Sequence, residues 1–553
     1  MNNKMKVAAI AVIVIGFIYG GISWTQNWGK NKETINTESA MKKLNSLYAR
    51  LNVKKLTLKK DVTFQDINEN AEIIAVLPDI SEFPFIVNPR TDNFLTIYSS
   101  LEKADWLSDV ANRFNQSGAA VDGEPISVAI RAIPSNLGAD FISSGKYKPD
   151  VYSPSSEIYG SLLTGHGVSV NLADRRLAGN VSGVIISKKK SDELTQKYGE
   201  LNGKTIINSV LNSELALGYT DPLSNEDGFN LILTLLSESD SSNPISDNAI
   251  ANIRKFQDRI LFIAYDYNQL KASLASNTMD AIVSNYQAYT NDLRSSYVFV
   301  PIGVRRDNPV YEIGDLTDLK KQITAEFVNF CANSDSQKKA TDKGFNSYND
   351  YAYAFAMNGV TIQHAKEIYK REKSGFSDIT AVFVADISGS MEGSPLWNLK
   401  ASLNRVIEVI NPNVNIGLVT FSDNVNIAVP IAKFDNTQRS YFSNAIKSMS
   451  AGGGTAMYDA VVAAQKLLMD AKAQNPNTKI MLFVLTDGEV NRGLSFNDIE
   501  SMTRDIKTPI YTIGYNADIE ALRKLSDINE AATMNADSDN VIYRLESLFN
   551  AQM

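Results

Sequence analysis

The chain is 553 residues long, 44% hydrophobic and 21% charged, an ordinary globular composition with length for about two or three domains. Its formal net charge of −8 argues against nucleic acid as a principal partner. One cysteine, Cys331, and two histidines, His166 and His364, exclude an intrachain disulfide and leave almost no material for zinc centres or for Cys/His and Ser/His catalytic pairs. Cys331 itself reads as a small buried apolar residue in a helix-like stretch.

At the N-terminus, Lys4 and Lys6 precede residues 7–24, which carry no charge. As a helix this run would be about 27 Å long, close to the ~30 Å hydrocarbon core of a bilayer. It lacks a small-residue cleavage pattern and ends at Trp24, with Trp28 just beyond. It therefore reads as an uncleaved, single-pass signal anchor. The expected location is the cell membrane, with the bulk of the chain extracytoplasmic. Gly16 and Gly20 also have the spacing of a helix-packing pair, or are two unrelated glycines.

Residues 25–92 read as a polar linker with one helix-like segment at 38–51. Lys54, Lys55, Lys59 and Lys60 form a basic patch that suits a solvated face or lipid head groups.

From Phe94 onward, strand-like runs at 95–98, 127–133, 150–152, 181–186, 215–219, 281–284 and 297–302 alternate with helical patterns, which predicts an α/β fold with parallel sheets. Loop motifs punctuate them: Ser99-Ser100-Leu101-Glu102-Lys103 running into a helix at Trp106, Ser153-Pro154-Ser155-Ser156, Thr220-Asp221-Pro222-Leu223-Ser224 with Gly228, and Pro301-Ile302-Gly303. In this order, residues 93–372 resemble the type 2 extracytoplasmic solute-binding proteins, the two-lobed receptors of bacterial uptake systems. A small solute in the cleft is what that resemblance implies. Ser99, Ser100, Ser155, Ser156 and Ser224 fall at strand ends or helix starts, where hydroxyls and unpaired N–H groups favour an anion or oxygen-rich ligand, and Asp221 and Tyr286 would close the other side. Taken singly, such residues are more commonly helix caps. The stretch 366–373, with Lys366, Lys370, Arg371 and Lys373, predicts an exposed linker.

Three segments of the last third match the parts of one divalent-metal site. Asp386-Ile387-Ser388-Gly389-Ser390 follows the apolar run 381–385. Gly452-Gly453-Gly454-Thr455 opens a helix over 456–472, and Thr486-Asp487-Gly488 follows the strand-like run 480–485. Ligands of α/β sheets gather outside the carboxyl ends of the strands, and a hard cation takes carboxylate, hydroxyl and water oxygens there. Further strands are expected at 416–421, 509–515 and 532–534, and helices at 396–410, 497–506, 519–525 and 541–548.

On these residues, the segment 377–553 resembles a von Willebrand factor A domain, a doubly wound Rossmann-like fold. Asp386, Ser388, Ser390, Thr455 and Asp487 match that family's metal-ion-dependent adhesion site one for one. The resemblance implies a bound Mg²⁺ or Mn²⁺ with one open position for an acidic residue of a protein partner. No general base accompanies the metal loop, Glu392 and Glu489 being simple loop acids, so the chain reads as a binding protein and not an enzyme. The alternative is a solute receptor that uses the A domain as a docking adaptor.

Overall fold

Eight consecutive buried residues, Ile379–Asp386, form the middle strand of a seven-stranded sheet. A strand reads as a continuous apolar run when both faces of its sheet are covered. The computed structural model of the protein describes residues 37–60 and 77–535, apart from 261–262, 265, 276, 278, 354–356, 374–377, 411–413, 489, 516–518 and 530–532. The expected anchor at 7–24 and the expected helix at 541–548 lie outside the described residues. Among the described residues, no helix is long and apolar enough to cross a membrane.

The chain divides into two units. In the first, the strand order is Val53–Lys55, Val425–Lys433, Asn415–Phe421, Ile379–Asp386, Lys479–Thr486, Ile510–Gly514, Thr533–Asn535. Phe383, Phe483 and Tyr511 stack across three adjacent strands, with centroids 5.0 and 5.1 Å apart. Val425–Lys433 runs antiparallel to Asn415–Phe421 through a short turn at 422–424, and the sequence reading overlooked it.

The N-terminal part of the chain belongs to this unit. Residues 37–48 form a helix whose Ala40, Leu44 and Leu47 are buried in one core with Val382, Val384 and Val461. Val53–Lys55 then pairs in parallel with Val425, Asn426 and Ile427 as the edge strand. Where the sequence predicts a polar linker, the apolar residues at 40, 44 and 47 lie one helical turn apart on a single buried face. Lys54 and Lys55 are exposed on the edge strand, where lysines oppose pairing with further strands. The two-lobed unit is therefore inserted between the edge strand and the central strand of this sheet. Leu44 is wholly buried, so Leu44→Ala is expected to lower the unfolding free energy of the C-terminal unit by about 2–5 kcal/mol, read by urea titration. A linker residue would show no change.

The second unit has two sheets. One runs Phe85–Val87, Glu124–Ala132, Asn93–Ser99, Val151–Ser153, Val310–Ile313, Val170–Asp174; the other runs Ile263–Ala264, Leu217–Thr220, Ala281–Asn285, Val181–Ser187, Tyr297–Arg305. The chain passes between them at 175–180 and again at 306–309. Asn180 and Arg306 exchange both backbone hydrogen bonds at 3.0 Å, so the two crossovers are zipped together. The sheets are mixed where alternation alone predicts parallel ones: Val181–Ser187, which follows the first crossover, pairs antiparallel with both neighbours, and so does Val310–Ile313 after the second.

Helix Glu226–Ser239 starts against the second of these sheets, and Gly228 permits the approach: a Cβ there would lie 1.9 Å from the Thr220 carbonyl oxygen. The expected exposed linker at 366–373 is instead the end of helix Gly359–Glu372. Its Ile362, Ala365, Ile368 and Tyr369 join the core formed by both lobes, and Glu372 pairs with Arg254 at 2.7 Å. Basic residues on its outer face hid an apolar stripe on its inner one.

Candidate metal site and solute cleft

Asp386 ends the central strand and Thr486 ends its neighbour, so both side chains emerge at the carboxyl edge of the sheet. Asp386 is buried; its Oδ1 accepts the Ser388 N–H at 2.8 Å and its Oδ2 accepts the Thr486 hydroxyl at 2.5 Å. Ser388 and Ser390 hydroxyls stand 3.1 Å apart, with Ser388 buried and Ser390 exposed. The second loop is laced to the first: Gly389 N–H donates to the Gly453 carbonyl at 3.0 Å, and Gly452 N–H to that of Ile387 at 2.9 Å. This places the buried Thr455 beside the metal loop.

Gly453 has φ +85°, and a Cβ there would come within 2.6 Å of Asp423 Oδ2. Asp423 accepts the Gly454 N–H at 2.9 Å and pairs with Arg492 at 2.8 Å, while Asn491 accepts the Thr455 N–H at 2.9 Å. Asp423, Asn491 and Arg492 thus brace the Gly-rich loop. The sequence reading missed them because they act from two separate turns.

Burial holds the Asp386 carboxyl up at about 6; the hydrogen bonds from Thr486 and Ser388 oppose this, and the nearby Asp487 charge adds to it. Asp487 is itself 6% exposed, and its Oδ1 has no hydrogen-bond partner. Two buried carboxylates with an orphaned oxygen fit a cation, since an unpaired buried acceptor is costly. Among the described residues, no group of three His, Cys, Asp or Glu is placed to hold a metal ion. The donor set is two carboxylates with hydroxyls, which suits a hard divalent ion and not zinc.

Ser99, Ser100, Ser155 and Ser156 stand at strand ends of the first sheet, whereas Asp221 and Ser224 follow a strand of the second. Ser99, Ser100, Ser155, Ser156 and Asp221 are each at most 3% exposed. Ser100 Oγ accepts from Lys103 Nζ at 2.7 Å, Ser155 Oγ contacts Ser135 Oγ at 2.9 Å, and the Ser99 hydroxyl donates to the Ser100 carbonyl at 3.2 Å. Ser156 precedes helix Glu157–Gly165 without capping it. Asp221 holds a turn, accepting the Leu223 N–H at 3.1 Å, and the Ser224 hydroxyl donates back to the Asp221 carbonyl at 3.4 Å. Tyr286 packs instead in an aromatic cluster with Tyr289, Phe299 and Tyr348.

The centre of the cleft is occupied by charged groups that sequence reasoning passed over. Arg306, in the second crossover, bonds to Glu102 of one lobe and to Asp227 of the other, the latter at 2.5 Å, with Glu226 4.0 Å away. All four are nearly fully buried. Asn308 ties in the same crossover, donating its N–H to the Ser155 carbonyl at 3.0 Å and its Nδ2 to that of Ala178 at 2.7 Å. Glu102 and Lys103 sat inside a quoted loop motif. Only the crossover geometry gives Glu102 a partner about 200 residues away.

Residues 381–551 match the family model of the von Willebrand factor type A domain, and residues 95–346 match that of the bacterial extracellular solute-binding proteins. The chain joins a solute-binding domain to a von Willebrand factor A domain. A von Willebrand factor A domain-containing protein of Dictyostelium discoideum is 26% identical over 210 residues, covering 36% of this chain and 21% of the relative. Inter-alpha-trypsin inhibitor heavy chain H1 of Sus scrofa is 28% identical over 176 residues, covering 29% and 19%. The match thus spans about a fifth of each relative's length. Among solved structures, the sulfate-binding protein SubI of Mycobacterium tuberculosis is similar at 15% identity and TM-score 0.35, covering 50% of this chain and 91% of that one.

Proposed function

We propose that the A domain captures a protein partner through a Mg²⁺- or Mn²⁺-dependent adhesion site held by Asp386, Ser388, Ser390, Thr455 and Asp487. The observation that carries this reading is the buried, partnerless Oδ1 of Asp487 beside the buried Asp386, on loops already interlocked by backbone hydrogen bonds. A divalent cation there would compensate both charges and offer a Lewis-acid position to a partner carboxylate. Binding, not catalysis, is the role assigned to the site. In our reading the chain is anchored by residues 7–24 and displayed outside the membrane. Resistance to carbonate extraction, with digestion of the C-terminal unit by protease added to intact cells, is the expected result; a protected C-terminal unit would reverse the orientation.

The test of capture is a pull-down with the full chain in magnesium against chelator. A partner should be retained only with metal. Loss of one neutral oxygen in Ser388→Ala or Ser390→Ala should weaken retention less than loss of Asp386, and equal retention in chelator would sink the reading.

A second reading concerns the solute-binding domain, which we take as a receptor for a small solute. It is favoured by the buried polar groups between the lobes that lack partners, among them Ser153 Oγ, Ser156 Oγ and Thr220 Oγ1.

A further inference from the structure

The strand-end serines suggested an anion, but the charges the fold assembles around them have the opposite sign. Three carboxylates, Glu102, Glu226 and Asp227, meet two cations, Lys103 and Arg306, in one buried cluster. Both cations are already engaged. Lys103 Nζ is held at 2.7 Å by Ser100 Oγ and at 2.7 Å by the Ser153 carbonyl, and Arg306 spends its two terminal nitrogens on Glu102 Oε2 and Asp227 Oδ1. What lacks a hydrogen bond is mostly acceptor: Glu226 Oε1, Glu226 Oε2 at 4.0 Å from Arg306, and Glu102 Oε1, with the wholly buried Ser156 hydroxyl beside Glu226 and one donor, Arg306 Nε.

An oxyanion entering here would meet three carboxylates and a single unengaged cationic donor, Arg306 Nε. A metal ion would have to share these carboxylates with Arg306, whose hydrogen bonds already occupy Glu102 Oε2 and Asp227 Oδ1. An ammonium group brings one positive charge and three N–H donors. That matches both the charge excess and the orphaned acceptors.

We infer that the cleft receives a small organic cation bearing a primary ammonium group, bound by Glu226, Glu102 and Ser156. The inference deepens the receptor reading and rests on it. Burial and the neighbouring Glu102 hold Glu226 up at about 7, opposed by Arg306, so a proton competes for the same place when no amine is present. Asp227 and Arg306 supply the fixed floor of the site and join it to both lobes.

The test is isothermal titration of the full chain with methylammonium, 1,4-diaminobutane, sulfate, phosphate and glucose at neutral pH. The amines are expected to bind, and Glu226→Gln to weaken them about tenfold or more, as for loss of a hydrogen bond to a charged group. Ser156→Ala should cause a smaller loss, and both variants should melt no lower than the parent, since neither creates a new buried charge. Binding of sulfate, phosphate or glucose in place of the amines overturns the inference and leaves the receptor reading intact. Amine binding that survives Glu226→Gln unchanged overturns it too. A panel that gives no heat at all overturns both, because protons or water then satisfy these groups.

Discussion

Asp386→Ala is expected to abolish divalent-metal binding and, with it, metal-dependent partner capture. Losing an outer-shell partner of a metal ligand already costs about 10- to 100-fold in affinity, and Asp386 is a direct donor at the centre of the loop cluster. The same residue weakens the metal-free protein. Its carboxyl is held at about 6 against an ordinary 3.8, so the folded state binds the proton more tightly than the unfolded state does. Stability therefore falls as pH rises from about 4 to about 6 and stays lowered at pH 7, by an amount on the order of 2–3 kcal/mol. Asp386→Asn keeps the shape and removes the charge. Its metal-free form should melt higher than the parent at pH 7, no differently at pH 4, and gain nothing from magnesium. Titration calorimetry with Mg²⁺ and Mn²⁺, paired with melts at the two pH values, checks both halves. Full metal affinity in Asp386→Ala would show that the cation sits elsewhere.

Arg306→Ala should be the most destabilising single change in the solute-binding unit. It removes the ion pairs that Glu102 of one lobe and Asp227 of the other make to a single side chain, leaving Glu102 with only the neighbouring Lys103 charge and Asp227 with only the hydrogen bonds from Ser182 and Asn285. Breaking a buried pair in this way costs about 3–5 kcal/mol, much of it the penalty of the stranded charges and not the worth of the bond. That origin predicts partial rescue. Adding Asp227→Asn to Arg306→Ala should recover stability, whereas in the parent Asp227→Asn should destabilise. Urea unfolding of the four proteins forms the cycle, and additivity would rule out the direct coupling seen between these side chains.

Much of the C-terminal unit was legible because its chemistry is local. Asp386, Ser388 and Ser390 lie within five residues on one loop, and apolar runs such as 381–385 and 480–485 announce the strands that end at the site. Asp487 follows from the same rule at the end of a neighbouring strand, and Thr455 from the Gly-rich loop that opens a helix. The bracing residues Asp423, Asn491 and Arg492 carry no such mark; they matter only because two turns fold over the Gly-rich loop.

The two-lobed unit shows the complementary case. Its strand-end serines were found from pattern, yet the sign of the charge around them was not, because Glu102, Asp227 and Arg306 are adjacent only through a crossover between sheets. The same holds for residues 37–55: a short helix and a three-residue strand have too little periodicity to announce a core, and their role appears only when Val53–Lys55 pairs with a strand some 370 residues later. The sequence by itself determined the domain type of each unit and the strand ends at which Asp386 and Asp487 stand. Only the tertiary structure decided that the solute-binding unit lies, in chain order, between two strands of one sheet, and that three carboxylates gather around Arg306. Local propensity and loop chemistry are written in neighbouring residues, whereas strand pairing and buried charge balance are settled between residues hundreds of positions apart.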